Sequence, residues 1–90
     1  MFIVGSGEYQ NIVVNSEQVL LFRNDYYLHQ IIAELSNDTS MCLGEYPTTL
    51  AQDVAFSALL DTLYDNAVML YRMATVEEIW EMIKDAQNKD

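Results

Sequence analysis

The order of hydrophobic and polar positions predicts a β-hairpin in the first half of the chain. Val19–Arg23 and Tyr27–Leu35 are rich in β-branched and aromatic residues, and the turn formers Asn24 and Asp25 separate them. Because side chains alternate along a strand, every second residue of the later strand shares one face. That face is expected to be buried and consists of Tyr27, His29, Ile31, Ala33 and Leu35.

A third strand and a helix are predicted next. The strand follows a turn at Ser36–Thr39 and runs from Met41 to Tyr46, because Pro47 lacks the amide hydrogen that a ladder bond requires. Thr49 and Gln52 fit a capping box, so the helix should begin at Leu50. Apolar residues then recur at helical spacing, as on a helix packed against a sheet: Phe56, Leu59, Leu60, Leu63 and Ala67. The opposite face is expected to be polar and carries Asp53, Ser57, Asp61 and Asp65.

The two ends of the chain add further elements. Met1–Val4 predicts a first strand, and Asn11–Asn15 fits either a short strand or a crossing segment. Val68–Met73 fits either a strand or an extension of the helix, and its alternation favours the strand. A second capping box, Thr75–Glu78, begins a final helix whose apolar side is Val76, Ile79, Trp80 and Ile83.

These elements predict a single small domain over residues 1–90. Its class is α+β, with a largely antiparallel sheet, one central amphipathic helix and a C-terminal helix. A domain of this length buries a small core, so association with another chain is one way to gain stability.

The charge is strongly negative, with 14 Asp and Glu against 4 Lys and Arg and a formal net charge of −10. Such a field opposes direct binding to nucleic acid or to an anionic membrane. The 51% of hydrophobic residues argues against disorder. A single cysteine suits a reducing compartment, and no apolar run is long enough to span a bilayer, so a cytoplasmic location is expected.

Residues able to carry catalysis are few. His29 and Cys42 are the only histidine and cysteine, and they could form a dyad or share a metal, but a structural role for each is favoured. Asp53, Asp61 and Asp65 could hold a hard cation with Glu45, although a straight helix presents carboxylates in a row instead of around an ion. The chain has no phosphate-binding loop and no nucleophile-elbow motif. We therefore expect no enzyme activity, no metal and no cofactor.

Aromatic and methionine residues gather near the C-terminus. They are common both in cores and at interfaces, so packing on the sheet and self-association both stay open. The self-association surface would consist of Trp80, Tyr71, Met73 and Ile83, which would make the protein a homodimer.

Three short segments resemble a family of small phage and mobile-element proteins of α+β type. They are Met1-Phe2-Ile3-Val4, Asn11-Ile12-Val13 and Leu43-Gly44-Glu45-Tyr46, which match a Met-aromatic-Ile/Val first strand and a Leu-Gly-Glu-Tyr turn into a helix. The longer final helix departs from the common form. The resemblance implies a phage or mobile-element context and brings no catalytic residue.

Charge and context together predict a non-enzymatic acidic protein-binding module. In this hypothesis the protein is an anti-CRISPR-like DNA mimic that inhibits a host nucleic-acid-binding protein by occupying its basic surface. The partner-binding residues would be Asp53, Asp61, Asp65 and Glu45. The alternative is a homo-oligomeric accessory protein with a structural role, in which acidity serves only solubility.

Overall fold

The computed structural model describes residues 1–35 and 38–87. Within them the strands are β1 (Phe2–Val4), β2 (Val13–Asn15), β3 (Val19–Asp25), β4 (Gln30–Leu35), β5 (Ser40–Glu45) and β6 (Leu70–Arg72), and the helices are α1 (Thr49–Leu63) and α2 (Val76–Gln87). Single 3₁₀ turns occur at Gly7–Tyr9 and Ser16–Gln18. The predicted α+β class is confirmed. Ser36 and Asn37 of the predicted turn before β5 lie outside the described residues.

The strands form two three-stranded sheets, where the sequence predicted one. In the first, β1 lies between antiparallel β2 and parallel β6. In the second, β4 lies between β3 and β5, and both pairings are antiparallel. Both edges of β1 are therefore paired. Beyond the end of this strand the chain also bonds to the second sheet, where the Ser6 amide donates to the Leu43 carbonyl at 2.9 Å.

The hairpin turns later than predicted. β3 continues through Asn24 and Asp25, and the turn is Tyr26–His29. The Asp25 carboxylate accepts from the amides of Tyr27 and Leu28 at 3.0 and 3.1 Å, which stabilises the turn beyond the strand. Tyr27 and His29 are therefore not on the buried strand face: Tyr27 is 93% exposed, and His29 adopts a left-handed φ of 54°. Ile31 and Ala33 of that face are buried, as predicted.

Helix α1 begins one residue earlier than predicted and has a different cap. The Thr48 hydroxyl accepts from the Ala51 amide at 3.1 Å, so Thr48 and not Thr49 is the N-cap. Gln52 does not complete a capping box. It is fully buried, and its Nε2 donates to the carbonyls of Asp25 and Gln30 at 3.2 and 3.0 Å. The side chain thus holds both ends of the hairpin turn.

The apolar face of α1 differs in part from the predicted one. Leu59 is fully buried, Phe56 and Leu63 pack partly against the core, and Leu60 is 36% exposed. The helix ends at Leu63, so Ala67 does not belong to it. The rest of its fully buried side consists of Ala51, Gln52 and Ala55.

The last two elements agree with the predictions. Val68–Met73 contains a strand, β6, and not an extension of α1. The second capping box is complete, because the Glu78 amide donates to the Thr75 hydroxyl and the Thr75 amide donates to the Glu78 carboxylate, both at 3.2 Å. Ile79 of α2 is fully buried.

Both sheets and both helices contribute to one hydrophobic core. Its fully buried large side chains include Ile3, Ile31, Leu43, Leu59, Met73 and Ile79. None of the helices within residues 1–35 and 38–87 combines the length and hydrophobicity needed to cross a membrane. The core lies beneath the helices, which leaves their outer faces to solvent.

Candidate protein-binding surface

Exposed carboxylates line the outer faces of both helices. α1 and α2 together carry six acidic side chains and one basic side chain, Lys84. The six acidic residues are all exposed, and we call them the acidic helical surface: Asp53, Asp61, Glu77, Glu78, Glu81 and Asp85. The surface therefore has an excess of negative charge that faces solvent.

The part on α2 was missed in the sequence analysis. Glu77, Glu81 and Asp85 follow one another at intervals of four residues, the same interval that separates Asp53 from Ser57 and Ser57 from Asp61. The sequence pattern predicted only a capping box for Thr75–Glu78, which includes Glu77 and Glu78 at the start of the helix. The spacing needed to recognise the second stripe was present in the sequence.

Intramolecular ion pairs do not neutralise this surface within the described part of the chain. Both ion pairs found there use Arg23 of β3, which lies 2.8 Å from the Glu34 carboxylate and 4.0 Å from that of Asp25. These groups belong to the second sheet and not to the helices. Within the described residues no ion pair engages the acidic helical surface, although the Asp53 and Glu78 carboxylates accept hydrogen bonds from the Tyr26 hydroxyl and the Thr75 amide.

The four predicted partner-binding residues separate into different environments. Asp53 and Asp61 lie on the outer face of α1, and Asp53 accepts from the Tyr26 hydroxyl at 2.8 Å. The prediction that Asp65 extends the helical stripe is wrong, because α1 ends at Leu63. The Asp65 carboxylate instead accepts from the Ala67 amide at 3.0 Å in the following turn.

Glu45 lies away from this stripe, at the end of β5. It lines a cleft of about 320 Å³ with Ser6, Glu8 and Thr75, among others. Its carboxylate accepts from the Tyr9 hydroxyl at 3.2 Å. The Cys42 thiol is the main cause that raises the pKa of Tyr9 to about 12, followed by burial and by the Glu45 carboxylate. Glu45 is thus engaged locally and does not join Asp53 and Asp61.

The predicted self-association residues do not form one surface. Met73 is fully buried, because the chain after β6 returns to the core and the Met73 amide donates to the Val4 carbonyl at 2.8 Å. Its assignment to a surface was wrong. Tyr71 and Ile83 pack partly against the core, while Trp80 remains 42% exposed. Packing on the sheet thus accounts for most of this set.

His29 and Cys42 have separate hydrogen-bond partners. Nε2 of His29 lies 3.5 Å from the Thr49 hydroxyl, and the Cys42 thiol donates to the Gly44 carbonyl at 3.5 Å. Within residues 1–35 and 38–87 no hydrogen bond joins the two side chains. Burial is the largest effect on the Cys42 thiol and raises its pKa, which favours the less nucleophilic protonated form.

In the part of the chain that the structure describes, no group of three or more His, Cys, Asp or Glu side chains is arranged to hold a metal ion. The carboxylates of Asp53 and Glu45 instead accept hydrogen bonds from tyrosine hydroxyls. Their contacts therefore give no support to the cation site considered from the sequence.

Comparison of the chain with protein-family models, with curated proteins and with solved structures gave no match. The mobile-element context implied by the sequence resemblance therefore stays a prediction. The proposed function therefore rests on the charge and the surface geometry of the protein.

Proposed function

We propose that this protein is a non-enzymatic binding module whose acidic helical surface docks on the basic surface of a nucleic-acid-binding protein. The observation that carries the proposal is the set of six exposed carboxylates on α1 and α2 beside a single lysine. Surfaces that bind nucleic acid carry Lys and Arg to neutralise phosphates, and an array of carboxylates can pair with the same groups. The concrete form is a cytoplasmic phage or mobile-element inhibitor, an anti-CRISPR-like DNA mimic.

Charge also argues against two other kinds of partner. A formal net charge of −10 repels nucleic acid itself and anionic lipid headgroups. It accelerates encounter with a cationic protein, because opposite charges steer association at low salt. The proposed partner is therefore a protein with a basic surface.

The test uses two tagged variants that remove the same number of charges from different places. Asp61→Asn, Glu81→Gln and Asp85→Asn neutralise the acidic helical surface. Glu8→Gln, Glu17→Gln and Asp38→Asn neutralise exposed acids outside the two helices. If each exposed ion pair contributes about 0.5 kcal/mol, the first variant should bind its partner roughly tenfold more weakly.

Capture from bacterial lysate, at low and at high salt, measures the effect. We expect the unaltered protein and the control variant to retain a nucleic-acid-binding protein, and to retain less of it as salt rises, because salt screens exposed charges. The helical variant should retain much less of it. Equal capture by both variants, or capture that is insensitive to salt, would contradict the proposal.

A second candidate, a homo-oligomeric accessory protein, is favoured by the outer face of the first sheet. Phe2, Val13 and Leu70 are 52%, 56% and 61% exposed there, and Phe2 is aligned with Leu70 in the ladder. The three strands of this sheet contain no carboxylate, so this face would bring two acidic copies together with little local repulsion.

Analytical ultracentrifugation distinguishes this candidate. A monomer–dimer equilibrium that Leu70→Gln shifts toward monomer, and that Leu20→Gln on β3 leaves unchanged, would support it. Leu20 is a suitable control because it is also an exposed strand leucine, at 68%. A monomer at high micromolar concentration would rule the homo-oligomer out.

A further inference from the structure

An apolar groove runs between the two helices. Its volume is about 480 Å³, and its lining is Leu50, Val54, Met82, Ile83, Ala86 and Gln87. Leu50 and Met82 are 54% and 43% exposed, so hydrophobic side chains on both walls face solvent. Covering apolar surface of this kind with a partner lowers the free energy of the complex.

The groove has an acidic rim. Asp53 follows Leu50 by three residues, and residues at that separation are neighbours on a helix surface. On the other wall, Glu78 and Asp85 have the same relation to Met82, at separations of four and three residues. Lys84 is two residues from Met82 but three from Gln87, so the lysine neighbours the groove only at the C-terminal end of α2. The charges beside Leu50 and Met82 are thus all negative.

We propose that this groove receives a basic amphipathic helix of the partner protein. The inference rests on the proposed function and deepens it, because it names the element that the acidic helical surface binds. Apolar residues of the incoming helix would fill the groove, and flanking Lys and Arg would meet the rim. Nucleic-acid-binding proteins commonly present helices of this charge to DNA.

The charge of the rim decides between this occupant and a second copy of the chain. α1 carries two carboxylates and no basic residue, and α2 carries four carboxylates and one lysine. Either helix of another copy would therefore place carboxylates against the rim. Like charges at close range cost free energy, while a cationic helix would complete the apolar contact and neutralise the rim.

Synthetic peptides test the inference on the unaltered protein. The probe is a fluorescent amphipathic helix of Leu and Lys. Its comparisons are a Lys and Ala helix of equal charge without a large apolar face, and a Leu and Glu helix of opposite charge. Anisotropy titrations should rank the Leu and Lys helix first by roughly tenfold over each of the other two, because both contributions are needed.

Two matched variants then locate the site. Leu50→Gln with Met82→Gln changes the groove, whereas Leu60→Gln with Met69→Gln changes exposed residues of the same types elsewhere, at 36% and 75% exposure. All four side chains are exposed, so both variants should remain folded, which circular dichroism checks. The groove variant should bind the Leu and Lys helix roughly tenfold more weakly, and the control less than about twofold.

The other outcomes separate failure of the groove from failure of the proposed function. The Leu and Lys helix and the Lys and Ala helix could bind equally well, with no change in the groove variant. That result would contradict the assignment of the groove but not the role of the acidic helical surface. Preferred binding of the Leu and Glu helix would overturn both. A concentration-dependent dimer that the groove variant abolishes would assign the groove to a second copy and overturn the inference.

Discussion

Leu59→Ala should lower the free energy of unfolding by about 3 kcal/mol, a change of more than about a hundredfold in the folding equilibrium. Leu59 is fully buried on the inner face of α1 and belongs to the core shared by both sheets and both helices. Removing its branched end takes apolar contacts from the core and leaves a cavity. Urea unfolding followed by circular dichroism measures the loss as a lower midpoint at constant slope.

Leu60→Ala is the matched control for this change. The same substitution is made one position along the same helix, where the side chain is 36% exposed. We expect it to cost less than about 1 kcal/mol, because exposed helix positions contribute little packing. Equal losses at the two positions would mean that α1 does not present Leu59 to the core as described.

Gln52→Met should lower the free energy of unfolding by about 2 kcal/mol. Gln52 is fully buried, and its amide donates to the carbonyls at both ends of the hairpin turn, Asp25 and Gln30. Methionine is of similar length but has no donor, so the loss reports mainly on the two hydrogen bonds. The loss is moderated because the side-chain oxygen Oε1 of Gln52 has no hydrogen-bond partner among the described residues, and methionine removes that buried oxygen as well.

Hydrogen exchange gives this prediction a local readout. The amides of Tyr27 and Leu28 in the turn should exchange faster in Gln52→Met, because the turn loses the side chain that joins its ends. Gln18→Met, at an exposed glutamine, should leave stability and these amides unchanged. Loss of stability without faster exchange at the turn would show that Gln52 stabilises the core and not the hairpin.

The sequence predicted most elements because each has a local signal. Alternation identified β4, and the reciprocal Thr75 and Glu78 pattern located the start of α2. The end of the hairpin depends instead on tertiary contacts. Asn24 and Asp25 have strong turn propensity, yet both belong to β3. Hydrogen bonds of the Asp25 carboxylate and of Gln52 stabilise a turn that begins at Tyr26 instead.

The candidate site was predictable where helical spacing was regular. That spacing placed Asp53 and Asp61 on the outer face of α1, but it could not show that the helix stops before Asp65. Met73 was misassigned because an apolar run does not reveal which of its residues return to the core. The division into two sheets could not be predicted either. It depends on the pairing of β6 with β1, and these strands are separated by more than half of the sequence.

The acidic helical surface and the groove give the proposed function a physical division of roles. Exposed carboxylates such as Asp61 and Glu81 would attract a basic partner over several ångströms, with an effect that salt reduces. The apolar walls at Leu50 and Met82 would act only on contact and would resist salt. Binding that is weakened, but not abolished, at high salt is the combined expectation.

Competition with nucleic acid tests the central claim most directly. The captured protein would be mixed with labelled duplex DNA or RNA that it binds, and this protein would then be added in increasing amounts. We predict that the unaltered protein releases the nucleic acid, and that the variant with Asp61→Asn, Glu81→Gln and Asp85→Asn requires roughly tenfold more. A ternary complex in which nucleic acid stays bound would contradict the proposal that the acidic helical surface occupies the nucleic-acid site.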